Sequence, residues 1–148
     1  MNGDFDLNSA MTVAENGEIY EWVLSFLRSS GDNLKLANIL EKDGQYYLGP
    51  ISYPIDKVVN IIGHDDTFKF QEDLDILKSR TLNMLDSMKK GWQPPPLIVT
   101  NFWEDDFEIV DGGHRQGAII EFGLKEYPMI FYFRNKETMD DFISYLNQ

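Results

Sequence analysis

The residues whose types and spacing could do chemistry lie in one run: Phe107-Glu-Ile-Val-Asp111-Gly112-Gly113-His114-Arg115-Gln116-Gly117-Ala118. An apolar strand delivers the chain to two consecutive glycines, which turn sharply and let a ligand approach the backbone, and a helix follows at once. The free N–H groups at the start of a helix carry partial positive charge and favour an anion such as phosphate. His114 and Arg115 sit on the same turn, and a guanidinium grips phosphate oxygens in bidentate fashion. Strand, glycine turn, basic pair and helix thus predict a phosphate cradle, with Gly112 or Gly113 at positive φ. The same spacing also fits a ligand-free connection in which Arg115 pairs with an acid and His114 merely caps.

The elements that must position this run follow from periodicity. Ile19, Trp22, Val23, Phe26 and Leu27 share one helical face, and Ser29-Ser30-Gly31 stops that helix. Asp32 is the expected cap of a second helix through Leu34, Leu36, Ile39 and Leu40, ended by Asp43-Gly44. Residues 1–17 show no clear period and read as a loose arm. Tyr46–Tyr53 reads as a strand interrupted by Gly49-Pro50.

The longest predicted helix spans 71–90 on a stripe of Leu74, Leu77, Met84, Leu85 and Met88. Acids stand in its first turn, Lys89 and Lys90 in its last, and Gly91 follows. Three strands are predicted at Pro96–Thr100, Phe107–Asp111 and Pro128–Phe133, the first two as a hairpin, and Arg115–Phe122 as a short helix closed by Gly123. A last helix is expected from Thr138, capped through Asp141, with Met139, Phe142, Ile143 and Leu146 facing inward. The aromatic run Phe131-Tyr132-Phe133 reads as alternation along a half-buried strand, and Trp92 with Pro94, Pro95 and Pro96 as a stiff approach to a buried one. Glu104, Asp105 and Asp106 read as a loop surface.

Composition narrows the classes. The 148 residues carry 13 basic and 25 acidic side chains, a formal charge of −12, which repels a phosphate backbone at long range and speaks against non-specific DNA binding. There is no cysteine, which excludes disulfides, thiolate zinc sites and cysteine nucleophiles, and only two histidines, too few for a histidine-rich metal cluster. No stretch resembles a secretory signal or reaches the roughly 18 apolar residues of a membrane span, so the expected setting is cytoplasmic. With 43% hydrophobic and 14% aromatic residues the chain is expected to form one compact mixed α/β domain.

The wording of the central motif adds a family. Asp111-Gly112-Gly113-His114-Arg115, with Ala118 completing GxxRxxA, then Gly123-Leu124 and Tyr127-Pro128-Met129-Ile130, resembles the ParB/sulfiredoxin superfamily. Gly91-Trp92-Gln93-Pro94-Pro95-Pro96-Leu97-Ile98-Val99 resembles the stretch before the preceding strand in that superfamily, and Pro54–Val58 its opening strand-to-helix segment. The resemblance covers about 93–133 well, 49–90 more loosely, and nothing before.

It implies a small mixed sheet with surrounding helices and an extra N-terminal helical segment. Residues 1–45 would form an arm and helices packed on the core, and 46–148 a nucleotide-binding domain. By position, Gly112, Gly113, His114, Arg115 and Gln116 would hold the phosphates. Sulfiredoxin chemistry requires a cysteine and is excluded here. The partition-protein motif is more basic, with a carboxylate and an arginine where this chain has Gly113 and Gly117, and no helix-turn-helix region follows, so the expectation is against partition and sequence-specific DNA loading.

The free-serine-kinase-like branch is closer in motif, and its acidic position corresponds to Gly63-His64-Asp65-Asp66. Two adjacent carboxylates could divide the tasks of a phosphotransferase, Asp65 as base and Asp66 as a ligand for Mg²⁺, with Asp111 as a second catalytic candidate. A solvated acidic loop before a helix, with Asp66 or Thr67 near the N-cap, accounts for the same residues. The expected activity is therefore Mg²⁺-dependent binding of ATP, ADP or CTP, with either hydrolysis or phosphoryl transfer to a small-molecule acceptor. The alternative is a non-catalytic interaction protein whose acidic surface meets a basic protein partner. A ParB-like nuclease is the third reading, disfavoured by the charge.

Overall fold

The computed structural model describes residues 6–29, 33–60, 71–101, 107–111 and 113–147. Its centre is a five-stranded mixed sheet in the order β1-β5-β3-β4-β2, made of β1 (Tyr46–Pro54), β2 (Val59–Asn60), β3 (Leu97–Thr100), β4 (Glu108–Asp111) and β5 (Glu126–Phe133). β1 and β5 run antiparallel from Tyr46 opposite Phe133 to Pro54 opposite Glu126, with a register shift between Leu48 and Ile51. β3 pairs parallel with β5 and antiparallel with β4, as the predicted hairpin requires, and β4 pairs parallel with β2.

Alternation along the strands supplies two apolar faces. Leu97, Val99, Met129, Phe131, Phe133 and Ile109 join one core, closed by Met88 of α4 (Gln71–Lys89), Ala118 and Ile119 of α5 (Gly113–Phe122) and Phe142 of α6 (Lys136–Leu146). Ile98, Ile130 and Tyr132 join the other, covered by α1 (Leu7–Glu15), α2 (Ile19–Leu27) and α3 (Leu34–Asp43) through Ala10, Trp22, Val23, Leu27, Ala37 and Leu40. The fold is thus α/β, with helices on both faces of the sheet.

Four expectations are corrected. The arm at 1–17 contains α1, because Asp6 and Ser9 form a reciprocal capping box: the Asp6 carboxylate accepts the Ser9 N–H at 2.9 Å and Ser9 Oγ accepts the Asp6 N–H at 3.1 Å. Tertiary contacts complete it, since Leu7 N–H donates to the Gln93 carbonyl and Trp22 Nε1 to Ser9 Oγ. The cap of α3 is Asn33, whose Oδ1 accepts the Leu36 N–H at 3.2 Å; Asp32 lies outside the described residues. α6 starts two residues before Thr138, since Asn135 Oδ1 accepts the Thr138 N–H and takes the capping role assigned to Thr138 and Asp141; of its four expected inward residues, Phe142 is buried and Leu146 is exposed. β5 is buried from Met129 to Phe133 on both faces, because α1–α3 cover the side that a half-buried strand would leave to solvent.

Candidate functional site

β4 ends at Asp111 and α5 begins at Gly113, so the strand passes to the helix through a single residue, Gly112, which itself lies outside the described residues. Gly113 is the first helical residue, two positions earlier than predicted, and this brings Arg115 into the first turn of α5. The positive φ expected at one of the two glycines is not at Gly113. α5 packs on α4 and the sheet: a β-carbon at Gly117 would stand in ordinary contact with Thr81 of α4 at 3.5 Å, and Ala118 and Ile119 are wholly buried in the core. Its far end closes with the Gly123 N–H on the Ile120 carbonyl and the Leu124 N–H on the Ile119 carbonyl, at a glycine with φ of 104°.

Arg115 is buried, and its partners are internal. Nη2 donates to the Pro96 carbonyl at 2.9 Å and pairs with Asp111 Oδ2 at 3.3 Å, while the guanidinium carbon stands 5.4 Å from the centre of the Phe26 ring. Asp111 Oδ1 accepts from Asn33 Nδ2 at 3.1 Å, so both carboxylate oxygens are engaged. Beside this group Tyr127 donates to the Pro94 carbonyl at 2.6 Å, and burial pushes its phenol well above the ordinary range against the lowering influence of Arg115. The proline run is therefore an anchored, buried approach to β3, held by Tyr127 and Arg115.

One donor in this group is left over. Among the described residues the buried Nε–H of Arg115 has no hydrogen-bond partner, and neither does Trp92 Nε1. A buried donor without an acceptor costs about 1–3 kcal/mol. An anion at the first turn of α5 would find this donor in the same turn as the helix N–H groups.

The structure brings Asp111, Gly113, His114, Arg115 and Gln116 together at one strand-to-helix junction. Gln116 is buried, and the side chain of His114 lies outside the description. Gly63, His64, Asp65, Asp66 and Glu104–Asp106 all lie outside the described residues. Among the described residues no three His, Asp or Glu side chains gather to hold a metal ion. Sequence reasoning missed Asn33, Phe26 and the Pro96 carbonyl. Asn33 follows Asp32, the residue expected to cap α3, and nothing in the sequence ties it to Asp111, 78 positions away.

No protein-family model matches this chain, and no curated protein matches it. Solved structures do. A Pnob8-like ParB-N domain is 21% identical, over 68% of this chain and 35% of that one, with a TM-score of 0.41. The C-terminally truncated chromosome-partitioning protein ParB from Caulobacter crescentus, solved with CTP-γ-S, is 18% identical over 66% of this chain and 53% of its own, with a TM-score of 0.34. The chain spans about a third and about half of these two proteins. Among the described residues no helix is long and apolar enough to cross a membrane.

Proposed function

We propose that this chain binds the phosphates of a nucleotide at the β4–α5 junction. The observation that carries the reading is the buried Arg115 Nε–H, without a partner among the described residues, in the first turn of a ten-residue helix separated from its strand by a single residue. Helix N–H groups and a leftover guanidinium donor converge on one kind of ligand, a compact anion. The GxxRxxA spacing of Gly112, Arg115 and Ala118 supports the same assignment. Gly113 contributes a backbone donor and His114 its imidazole in this reading, and ATP, ADP and CTP are the nucleotides it names.

Asp111 changes role within the proposal. A carboxylate that already accepts from Asn33 and Arg115 serves poorly as a base or metal ligand, so it acts by holding Arg115. Hydrolysis or transfer to a small acceptor would rest on Asp65, with Asp66 toward Mg²⁺. Mg²⁺ commonly binds through nucleotide phosphates, waters and one or two carboxylates, and so needs no three-carboxylate cage.

Calorimetry and thermal shift with ATP, ADP, CTP and GTP, each with and without Mg²⁺, test the proposal. A bound nucleotide at 100 times its dissociation constant should add about 2.7 kcal/mol of stability. If none of the four raises the unfolding temperature or gives a binding heat, the phosphate site is refuted.

A further inference from the structure

Among the described residues, one side chain from outside the 46–148 segment hydrogen-bonds to the junction. Asn33 performs two tasks at once: Oδ1 accepts the Leu36 N–H and closes the first turn of α3, while Nδ2 donates to Asp111 Oδ1. A primary amide suits this pair of tasks, having an acceptor on one atom and donors on the other. From α2, Phe26 lies against the guanidinium of Arg115. Each member of the Asp111–Arg115 pair therefore touches the N-terminal helical layer, and the pair in turn ties β4 to the first turn of α5.

Resting on the phosphate reading of the junction, we infer that Asn33 is a positioning residue for it. By fixing Asp111 it fixes Arg115, and through Arg115 the first turn of α5, so the α1–α3 layer sets the geometry in which phosphate is met. Loss of the bridge loosens the anion site while the sheet and both cores remain.

Asn33→Asp isolates this role, because aspartate caps a helix as well as asparagine but has no donor when ionised. It also places a carboxylate against Asp111. Among the described residues the charged and titratable groups around it are Asp111 on β4 and Arg115 on α5, with Tyr127 of β5 in electrostatic reach of Arg115; α2 presents Phe26. Asn135→Ala, which removes a cap from α6 far along the chain, controls for simple loss of a cap.

Hydrogen exchange at the Gly117 and Ala118 amides, the first in α5 whose i−4 partners lie within the helix, should accelerate in Asn33→Asp by about ten-fold or more at pH 7, the weight of a hydrogen bond to a charged group. Inorganic tripolyphosphate should bind this variant about ten-fold more weakly than the parent at pH 7, and Asn135→Ala as well as the parent. Exchange that is unchanged at these two amides overturns the positioning role. Altered exchange with parent-like tripolyphosphate binding overturns its link to the ligand. A parent that binds neither tripolyphosphate nor nucleotide refutes the phosphate reading, while the exchange data still decide what Asn33 holds.

Discussion

Arg115 and Asp111 form an ion pair at 3.3 Å across the β4–α5 junction, with about nine-tenths of each side chain removed from solvent. The pair joins residues four apart, yet it does not lie along one helix; it clamps the end of a strand to the start of a helix. The charge that made Arg115 attractive as a phosphate ligand is balanced by Asp111, and its geometry is fixed by the Pro96 carbonyl. Among the described residues its Nε–H alone is left without a partner.

Arg115→Ala should therefore damage the fold as well as the site. It leaves Asp111 buried without its cation and the Pro96 carbonyl without its donor, a loss on the order of 3 kcal/mol. Pairing Arg115→Met with Asp111→Asn should recover much of that, because no unbalanced charge remains. Urea unfolding of the single and double variants gives the answer, and a single variant as stable as the parent would show that the clamp carries no weight.

The capping box of α1 makes a separate prediction. Asp6→Ala removes the acceptor for the Ser9 N–H and should cost about 1 kcal/mol. Its effect should reach Trp22, whose Nε1 donates to Ser9 Oγ. Tryptophan fluorescence and urea unfolding should both report the change; parent-like stability would mean that α1 stands without its cap.

These elements mark the boundary of what the sequence discloses. α2 and α4 were legible because their apolar residues repeat with helical period, and the end of α4 was legible from Gly91. α1 was not, since its one fully buried residue is the small Ala10, and its docking depends on Gln93 and Trp22. The strand-glycine-helix order of the candidate site was legible as well. The local pattern left two roles open for Arg115, ligand or buried partner, because the deciding contacts come from Asn33, Phe26 and Pro96, which only the fold brings near. The burial of β5 on both faces was hidden for the same reason: a residue pattern records side-chain type, and the covering helices lie 80 or more positions away.

Alkaline pH should weaken the fold. Burial is the main cause that raises the phenols of Tyr127 and Tyr132 above the ordinary value near 10. As pH rises through that ordinary value, the unfolded chain releases protons that the folded chain keeps, so stability falls. Tyr127→Phe keeps the ring but gives up the bond to the Pro94 carbonyl, costing about 1 kcal/mol at neutral pH. It should also shed part of the alkaline loss. Unfolding measured between pH 7 and 11 tests both signs, and a Tyr127→Phe variant with the parent's alkaline slope would mean that Tyr127 releases its proton equally in both states.

Binding and turnover should separate between His114 and Asp65. His114 stands in the first turn of α5, where a charge-assisted hydrogen bond to phosphate contributes roughly 1.5–3 kcal/mol, so His114→Ala should weaken nucleotide affinity by ten-fold or more. The His114→Ala variant should unfold at the parent's urea concentration, whereas Arg115→Ala should not. Asp65→Asn keeps the size of the side chain and removes the negative charge that a base requires. It should hold affinity within a few-fold and reduce phosphate release or transfer by about 10² or more. Calorimetry and a phosphate-release assay on the two variants measure each effect separately. Parent-like affinity in His114→Ala would remove His114 from the anion site, and parent-like turnover in Asp65→Asn would move the search for a base to Asp66.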